Sequence, residues 1–238
     1  MRAGKMGEPA KKREKIMAKN GNRDDNDRAR IEVALEFFGI EKPSTTAERL
    51  ALYAEMVSER RKWGNLASSF WDEDWARPII ESVALTTVLD RARALRIADI
   101  GAGGGLLGMV VALACPQWNV TAIESAGRKG TFMAETAGKL GLKNLFVAKE
   151  RAESLVGDRT FDTVISRAAG AVEKMIPLAA GLLEKSGVYV GLKGSDPSTE
   201  VREAAGVIES SGFRIEVVRV ALPPGEKGQI SLVKASKM

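Results

Sequence analysis

Apolar positions follow two different rhythms along this chain, and the change falls shortly after residue 90. In the first part apolar residues recur at helical spacing, as in the stripe from Leu50 to Val57, which predicts helices that pack on another surface. Three helices are predicted, over 29–38, from 43–48 onwards and over about 71–89. The first third of the chain is therefore expected to be helical.

From Arg96 onwards, short apolar runs alternate with helical segments. The predicted strands are 96–100, 119–123, 144–148, 161–166, 187–193, 212–220 and 229–235. Helices fall between the first six strands, whereas only residues 221–228 join the last two, so the last strand must return antiparallel. This alternation predicts an α/β fold with a seven-stranded, mostly parallel sheet and a ligand site at the carboxyl ends of the early strands.

The two rhythms divide the chain into three predicted parts: a basic, disordered leader over 1–28, a helical cap over 29–92 and an α/β domain over 93–238. The first 30 residues hold ten Lys/Arg and five Asp/Glu, an excess equal to the net charge of +5 on the whole chain. A basic arm of this kind can follow a phosphate backbone, or it can simply stay solvated.

The first predicted strand runs into a glycine-rich turn. Asp99 is followed by Gly101, Gly103 and Gly105, and apolar residues then resume at helical spacing. Glycines lack the Cβ atoms that would keep a ligand away from the backbone. A dinucleotide site places a pyrophosphate on the helix N-terminus, whereas S-adenosylmethionine carries a sulfonium and an ammonium and gains from a nearby acid such as Asp99. The order Asp-x-Gly-x-Gly-x-Gly therefore favours S-adenosylmethionine as the cofactor.

A second acid stands at the carboxyl end of the next predicted strand. Glu124 lies about 20 residues beyond the turn, where an acid can accept hydrogen bonds from both hydroxyls of a ribose. Strand, turn, helix and the two acids together predict a class I S-adenosylmethionine-dependent methyltransferase with a Rossmann-like fold. A purely structural turn with two solvated acids is the alternative.

The residues that the sequence lacks narrow the chemistry. There is no histidine, which excludes histidine general bases, Ser-His-Asp hydrolysis and histidine metal ligands. The single cysteine, Cys115, is typical of a reducing compartment. No apolar run is long enough to span a membrane, and the basic N-terminus lacks the apolar core of a secretory signal. We therefore expect a cytoplasmic protein with neither a metal nor a membrane partner.

Several further stretches have a recognisable pattern: Arg61–Asn65, Asp99–Gly108, Ile123–Lys129, Glu150–Glu153, Phe161–Ala168 and Val190–Gly194. On these stretches the chain resembles the bacterial small-subunit ribosomal RNA guanine-N7 methyltransferases, the RsmG or GidB family, from about residue 46 to 235. The Ile-Ser-Arg-Ala and Leu-Lys-Gly elements in the last two stretches are more specific than the glycine turn. The resemblance implies methyl transfer from S-adenosylmethionine to a guanine, with ribosomal RNA or the small ribosomal subunit as the partner.

The resemblance also implies roles for individual residues. The implied cofactor-binding residues are Asp99, Gly101, Gly103, Gly105, Glu124, Ser125, Ala152 and Glu153, with the last two beside the adenine. The implied catalytic residues around the methyl-transfer pocket are Arg151, Arg167, Lys193 and Ser166. The absence of histidine is compatible with this chemistry, because guanine N7 carries a lone pair and no proton, so transfer needs alignment and not a general base.

Position along the chain independently brings three of these cations together. Arg151 follows the third predicted strand, Arg167 the fourth, and Lys193 ends the fifth, and the carboxyl ends of parallel strands meet at one edge. Three converging cations would suit a polyanionic substrate. Ordinary solvated charge at strand ends is the alternative.

The cap departs from the family pattern. Ser68, Pro78 and Glu81 stand where the family commonly has asparagine, histidine and aspartate. Because the cofactor half is kept while the part expected to face the substrate has changed, a paralogue that methylates a small-molecule acceptor is one alternative. A non-catalytic RNA- or nucleotide-binding module is a second, against which the intact pair of Asp99 and Glu124 argues.

Overall fold

The computed structural model describes residues 10–61, 71, 73–158, 160–193 and 196–238, with side chains described throughout these ranges except at 10–22 and 61. Ser68 and residues 62–65, which the sequence analysis singled out, lie outside the described residues. No helix within the described ranges is both long and apolar enough to cross a membrane.

A seven-stranded mixed sheet forms the centre of the fold. Its strands are β1 (Arg96–Ile100), β2 (Asn119–Ile123), β3 (Leu145–Ala148), β4 (Phe161–Arg167), β5 (Leu183–Lys193), β6 (Phe213–Ala221) and β7 (Gln229–Lys237). The strand order is β3-β2-β1-β4-β5-β7-β6. Strands β1 to β5 pair in parallel, and β7 pairs antiparallel with both β5 and β6. The predicted mostly parallel sheet with an antiparallel last strand is confirmed.

Each central strand is buried on both faces, which explains its continuous apolar sequence. Successive side chains point to opposite faces, so Ile97 and Ile165 belong to one hydrophobic core and Ala98 and Val164 to the other. The same alternation sends Asp99 and Arg167 towards the first face and Ser166 towards the second.

The helices of the described residues are α1 (Ala10–Phe37), α2 (Pro43–Arg61), α3 (Ala76–Ala84), α4 (Leu106–Ala114), α5 (Gly127–Lys139), α6 (Val172–Leu182), α7 (Ser198–Glu203) and α8 (Ala205–Ser210). Apolar residues of α1 to α5 share the first core, and those of α6 and α8 share the second. The sheet is thus sandwiched between two helical layers, with α3 packed on α4 beside the glycine turn.

Two predicted helices are shorter than the sequence suggested. The segment predicted over 71–89 forms α3 and then a 3-10 helix over Leu85–Val88. The hydroxyls of Thr86 and Thr87 donate to the carbonyls of Val83 and Ala84, at 2.8 and 2.7 Å, which satisfies carbonyl groups where the helix tightens. Between β3 and β4 the described residues form a one-turn 3-10 helix, Ala152–Leu155.

The first helix is much longer than predicted. It begins at Ala10 and not near residue 29. Contacts with the rest of the fold anchor its second half: Trp75 Nε1 donates to Asp24 at 3.2 Å, and Arg30 pairs with Asp74 at 2.9 Å. The division of the chain into leader, cap and α/β domain stays a prediction.

Candidate active site

The glycine turn between β1 and α4 adopts the left-handed backbone that glycine alone takes without strain. The φ angles of Gly101, Gly103 and Gly105 are +68°, +58° and +87°. A Cβ atom at Gly105 would lie 2.9 Å from Met133 Cγ, so this position also lacks room for a side chain. The turn is tied to β2, because the N–H groups of Gly101 and Ala102 both donate to the Ile123 carbonyl, at 3.0 and 3.1 Å.

Asp99 lies beneath this turn with only 1% of its surface exposed. Its Oδ2 accepts a hydrogen bond from the N–H of Gly108 at 2.8 Å, in the first turn of α4. Glycine is required there, since a Cβ would lie 2.9 Å from Oδ2. Burial raises the pKa of Asp99 to about 7, with a further rise from the charge of Glu124 and an opposing effect of the Gly108 hydrogen bond.

The position of Asp99 decides which ligand the turn can hold. Its carboxylate already takes a backbone N–H that a phosphate would need at the N-terminus of α4, and its charge would repel the phosphate. A cationic, phosphate-free ligand meets neither obstacle. The donor set therefore fits S-adenosylmethionine and disfavours a dinucleotide.

Glu124 connects the end of β2 to the glycine turn. Its Oε2 accepts the N–H of Gly103 at 2.9 Å and its Oε1 accepts the N–H of Ala126 at 2.8 Å. The residue is half-buried, and a carboxylate oxygen can accept more than one hydrogen bond, so capacity remains for ligand hydroxyls. Ser125, the next residue, is exposed.

The segment that follows β3 begins at the same edge of the sheet, where the parallel strands have their carboxyl ends. Ala152 is buried at the start of its 3-10 helix, whereas Glu153 is exposed. Arg151 is also exposed, with an extended backbone that precedes the 3-10 helix. These residues lie beyond the carboxyl end of β3, as predicted.

Arg167 ends β4 and is held by the cap. Its Nη2 donates to Glu81 Oε2 at 2.8 Å, and its Nη1 donates to the carbonyl of Pro78 at 3.2 Å. Both partners belong to α3, and both are positions where the chain departs from the family pattern. Pro78 contributes a backbone carbonyl, which any residue would supply.

Lys193 ends β5 and is held in a similar way by the opposite helical layer. Its Nζ lies 2.8 Å from Glu200 Oε1, in α7, and 3.2 Å from the Gly170 carbonyl. Glu200 Oε1 also accepts the N–H of Val172, at 2.5 Å. Two of the three predicted cations thus carry an acidic partner at the sheet edge.

Ser166 points away from the edge into the second core. Its hydroxyl lies 2.9 Å from the hydroxyl of Tyr189, and both side chains are buried. Burial raises the pKa of Tyr189 to about 12, so this hydroxyl stays protonated. The pair joins β4 to β5 on the face of the sheet opposite to the one that Arg167 points to.

Three residues next to the site were missed in the sequence analysis: Tyr53, Glu81 as a partner of Arg167, and Glu200. Tyr53 is 1% exposed, and its hydroxyl donates to the Gly104 carbonyl in the glycine turn at 3.2 Å. The spacing of Arg77 and Glu81 is a local sign of an ion pair, but it does not reveal a second partner 86 residues away.

Comparison with known proteins agrees with this geometry. Residues 46–226 match the family described as rRNA small subunit methyltransferase G. The chain is 38% identical over 160 residues to the ribosomal RNA small subunit methyltransferase G of Sorangium cellulosum, covering 65% of this chain and 66% of that one. It is 32% identical over 202 residues to the protein of the same name from Aromatoleum aromaticum, covering 83% and 92%.

Among solved structures, a SAM-dependent O-methyltransferase from Thermotoga maritima shares the fold. The TM-score is 0.53 at 20% identity, with 66% of this chain and 64% of that chain covered. The predicted class I methyltransferase fold is confirmed.

Proposed function

Because the chain belongs to the rRNA small subunit methyltransferase G family, we propose that it transfers the methyl group of S-adenosylmethionine to N7 of a guanine in small-subunit ribosomal RNA. The observation that carries the cofactor assignment is the hydrogen bond from Gly108 to the buried Asp99 carboxylate, which suits a cationic ligand at the start of α4. An RNA of this kind is found with ribosomes in the cytoplasm, where we expect the protein to act.

The cofactor is held by the two acids, the glycine turn and the segment after β3. Glu124 accepts the ribose hydroxyls, and Asp99 supplies negative charge to the methionine end, directly or through water. Ala152 and Glu153 lie beside the adenine. The complete proposed set is Asp99, Gly101, Gly103, Gly105, Glu124, Ser125, Ala152 and Glu153.

The acceptor lies between the ends of β4 and β5. When bound, S-adenosylmethionine supplies an electrophilic methyl group on a positively charged sulfur. Guanine N7 attacks with its lone pair, so that a nitrogen–carbon bond forms as the carbon–sulfur bond breaks and no proton leaves N7. A protein without histidine can support this step, since its task is to align the two partners and exclude water.

Cations at the sheet edge hold the acceptor RNA. Arg167 and Arg151 contact the base or its phosphates, and an arginine fork suits both. Lys193 acts as a point charge at the end of β5, on the side of the second helical layer. Ser166 contributes indirectly. Its hydrogen bond with Tyr189 joins β4, the strand that ends in Arg167, to β5.

Methyl transfer into RNA tests the proposal. Labelled S-adenosylmethionine is incubated with unmodified small-subunit ribosomal RNA and with intact small subunits, and the nucleosides are resolved by mass spectrometry. We expect new 7-methylguanosine in at least one of the two substrates. Binding of the cofactor without incorporation into either substrate would reject the RNA acceptor.

A small-molecule acceptor is the second candidate. The observation that favours it is the pairing of Arg167 with Glu81 and of Lys193 with Glu200, which lowers the positive charge that an RNA would meet. Salt separates the two candidates, because RNA affinity falls steeply with ionic strength and the affinity of an uncharged small acceptor does not.

A further inference from the structure

The guanidinium of Arg167 ends a series of ion pairs in which arginines and glutamates alternate. The series runs through α3 and the connection between β6 and β7 to α1. Glu81 accepts a hydrogen bond from Arg167 on its Oε2 and another from Arg77 on its Oε1, each at 2.8 Å. Its side chain is 19% exposed, and those of the two arginines are 27% and 25% exposed. A carboxylate held by two arginines in partly buried surroundings has a well-defined position.

Arg77 is in turn fixed by the connection between β6 and β7. Its Nη1 donates to the Lys227 carbonyl at 2.8 Å and lies 3.4 Å from Glu226 Oε2. The Glu226 side chain is only 6% exposed, and it accepts two hydrogen bonds from Arg30, at 2.8 and 3.1 Å. Arg30, in α1, is the other end of this series of ion pairs, and it lies 196 residues from Glu226 in the sequence.

The contacts of Arg167 set the orientation of its guanidinium plane. A guanidinium has five N–H groups in a rigid fork. Glu81 and the Pro78 carbonyl use one on each terminal nitrogen, and these two contacts from the same helix define the plane. The remaining N–H groups and the flat face are the parts that a base or phosphate can use.

We propose that Glu81 is a positioning residue for methyl transfer, with Arg77 and Glu226 holding it in place. Glu81 orients Arg167 at the acceptor side of the site and offsets its charge. This inference rests on the proposed function, in which Arg167 contacts the acceptor. Loss of the Glu81 charge therefore has two opposite effects: the acceptor RNA meets a stronger cation, but Arg167 no longer sits where transfer needs it.

The opposite signs make the proposal testable with Glu81→Gln in the full chain, after the wild-type protein has been shown to methylate RNA. We expect kcat to fall by about fivefold to tenfold, no more than on removal of Arg167 itself, because Glu81 affects transfer only through the position of that side chain. We also expect RNA affinity to hold or rise, with a log–log salt slope steeper by roughly 0.7 to 0.9 for one added phosphate contact. The Kd for S-adenosylmethionine should stay within about twofold of the wild-type value, because a substitution usually has little effect on the energetics of a separate site with which it shares no partner.

Two outcomes would overturn the proposal. An unchanged kcat in Glu81→Gln means that Glu81 does not position Arg167 for transfer. A joint fall in kcat and RNA affinity means that Glu81 has only a structural role. If the wild-type protein fails to methylate RNA at all, the proposed function is the part that fails.

Two further variants complete the experiment. Glu184→Gln makes the same charge change at the opposite edge of the sheet, where Glu184 pairs with Arg96, and it should leave kcat and RNA affinity unchanged. Glu226→Gln leaves Glu81 and Arg167 intact and acts through Arg77, so it should lower kcat in the same direction and by less. No fall in kcat in a folded Glu226→Gln protein would reject the supporting role of Glu226.

Discussion

At the proposed cofactor side of the sheet edge, carboxylates are held by backbone N–H groups, whereas at the proposed acceptor side cations are held by carboxylates, Arg167 by Glu81 far along the chain and Lys193 by Glu200 only seven residues away. Asp99 and Glu124 accept from Gly108, Gly103 and Ala126, all within 21 residues of the acid they bind. Arg167 depends on a partner 86 residues away. The two acids therefore find their partners within one continuous stretch of sequence, whereas the contact between Arg167 and Glu81 forms only in the assembled fold.

This difference explains why the two sides tolerate change differently. Backbone donors are insensitive to side-chain replacement, but they need glycine at fixed places in the turn. On the acceptor side, Pro78 contributes only its carbonyl, so a change of side chain there leaves that contact possible. Glu81 keeps the carboxylate function of the aspartate that is usual in the family. The altered cap is therefore compatible with an unchanged role for Arg167.

The largest expected effect is on the cofactor side, in Glu124→Ala. Loss of a charged acceptor costs about 1.5–3 kcal/mol per hydrogen bond, so affinity for S-adenosylmethionine should fall roughly ten- to hundredfold by calorimetry. Glu124→Gln keeps an acceptor oxygen and should lose less. Equal affinities for wild type and Glu124→Ala would reject the ribose assignment.

On the acceptor side, Arg167→Ala should lower the rate of methyl transfer by about tenfold and leave the cofactor Kd unchanged, because Arg167 contacts α3 and not the glycine turn. Single-turnover transfer at saturating cofactor measures the first quantity, and calorimetry the second. Arg167→Lys keeps the charge without the fork and should restore only part of the rate. A collapse of cofactor affinity would instead indicate that Arg167 supports the whole edge.

The buried Asp99 contributes a pH dependence to the stability of the protein. Its pKa is about 7 in the folded protein and near 3.8 when unfolded. Between these values the folded state holds a proton that the unfolded state has lost, so the unfolding free energy falls as the pH rises from about 4 to 7. Chemical denaturation across this range should show a smaller slope in Asp99→Asn. Identical slopes would mean that Asp99 does not carry the effect.

The smallest effect is expected away from both sides. Arg96 pairs with Asp162 and Glu184 at the opposite edge of the sheet, and its side chain is 49% exposed. Arg96→Ala should cost no more than about 1 kcal/mol of stability in denaturant titrations and should leave transfer unchanged. A loss of transfer in this variant would show that ion pairs support the site wherever they lie.

Sequence patterns predicted what is local in this fold. The runs that form β1 and β2 were placed at their observed bounds, and the two acids and the glycines of the turn came with them. The start of α1 was missed because residues 10–28 have no apolar stripe, and tertiary partners of Asp24 and Arg30 anchor the second half of that helix. Glu200 was missed as the partner of Lys193 although it lies only seven residues further on, because no sequence pattern shows that α7 folds back onto the end of β5.

The place of β7 in the sheet has a consequence for how the chain folds during synthesis. Because β7 lies between β5 and β6, strand β6 has no hydrogen-bonded neighbour until residues 229–237 have been made. The same stretch of synthesis completes the loop that brings Glu226 to Arg30. During translation, β1 to β5 can therefore already pair, whereas β6 and the connection that carries Glu226 join the sheet only when the strand made last among the seven has formed.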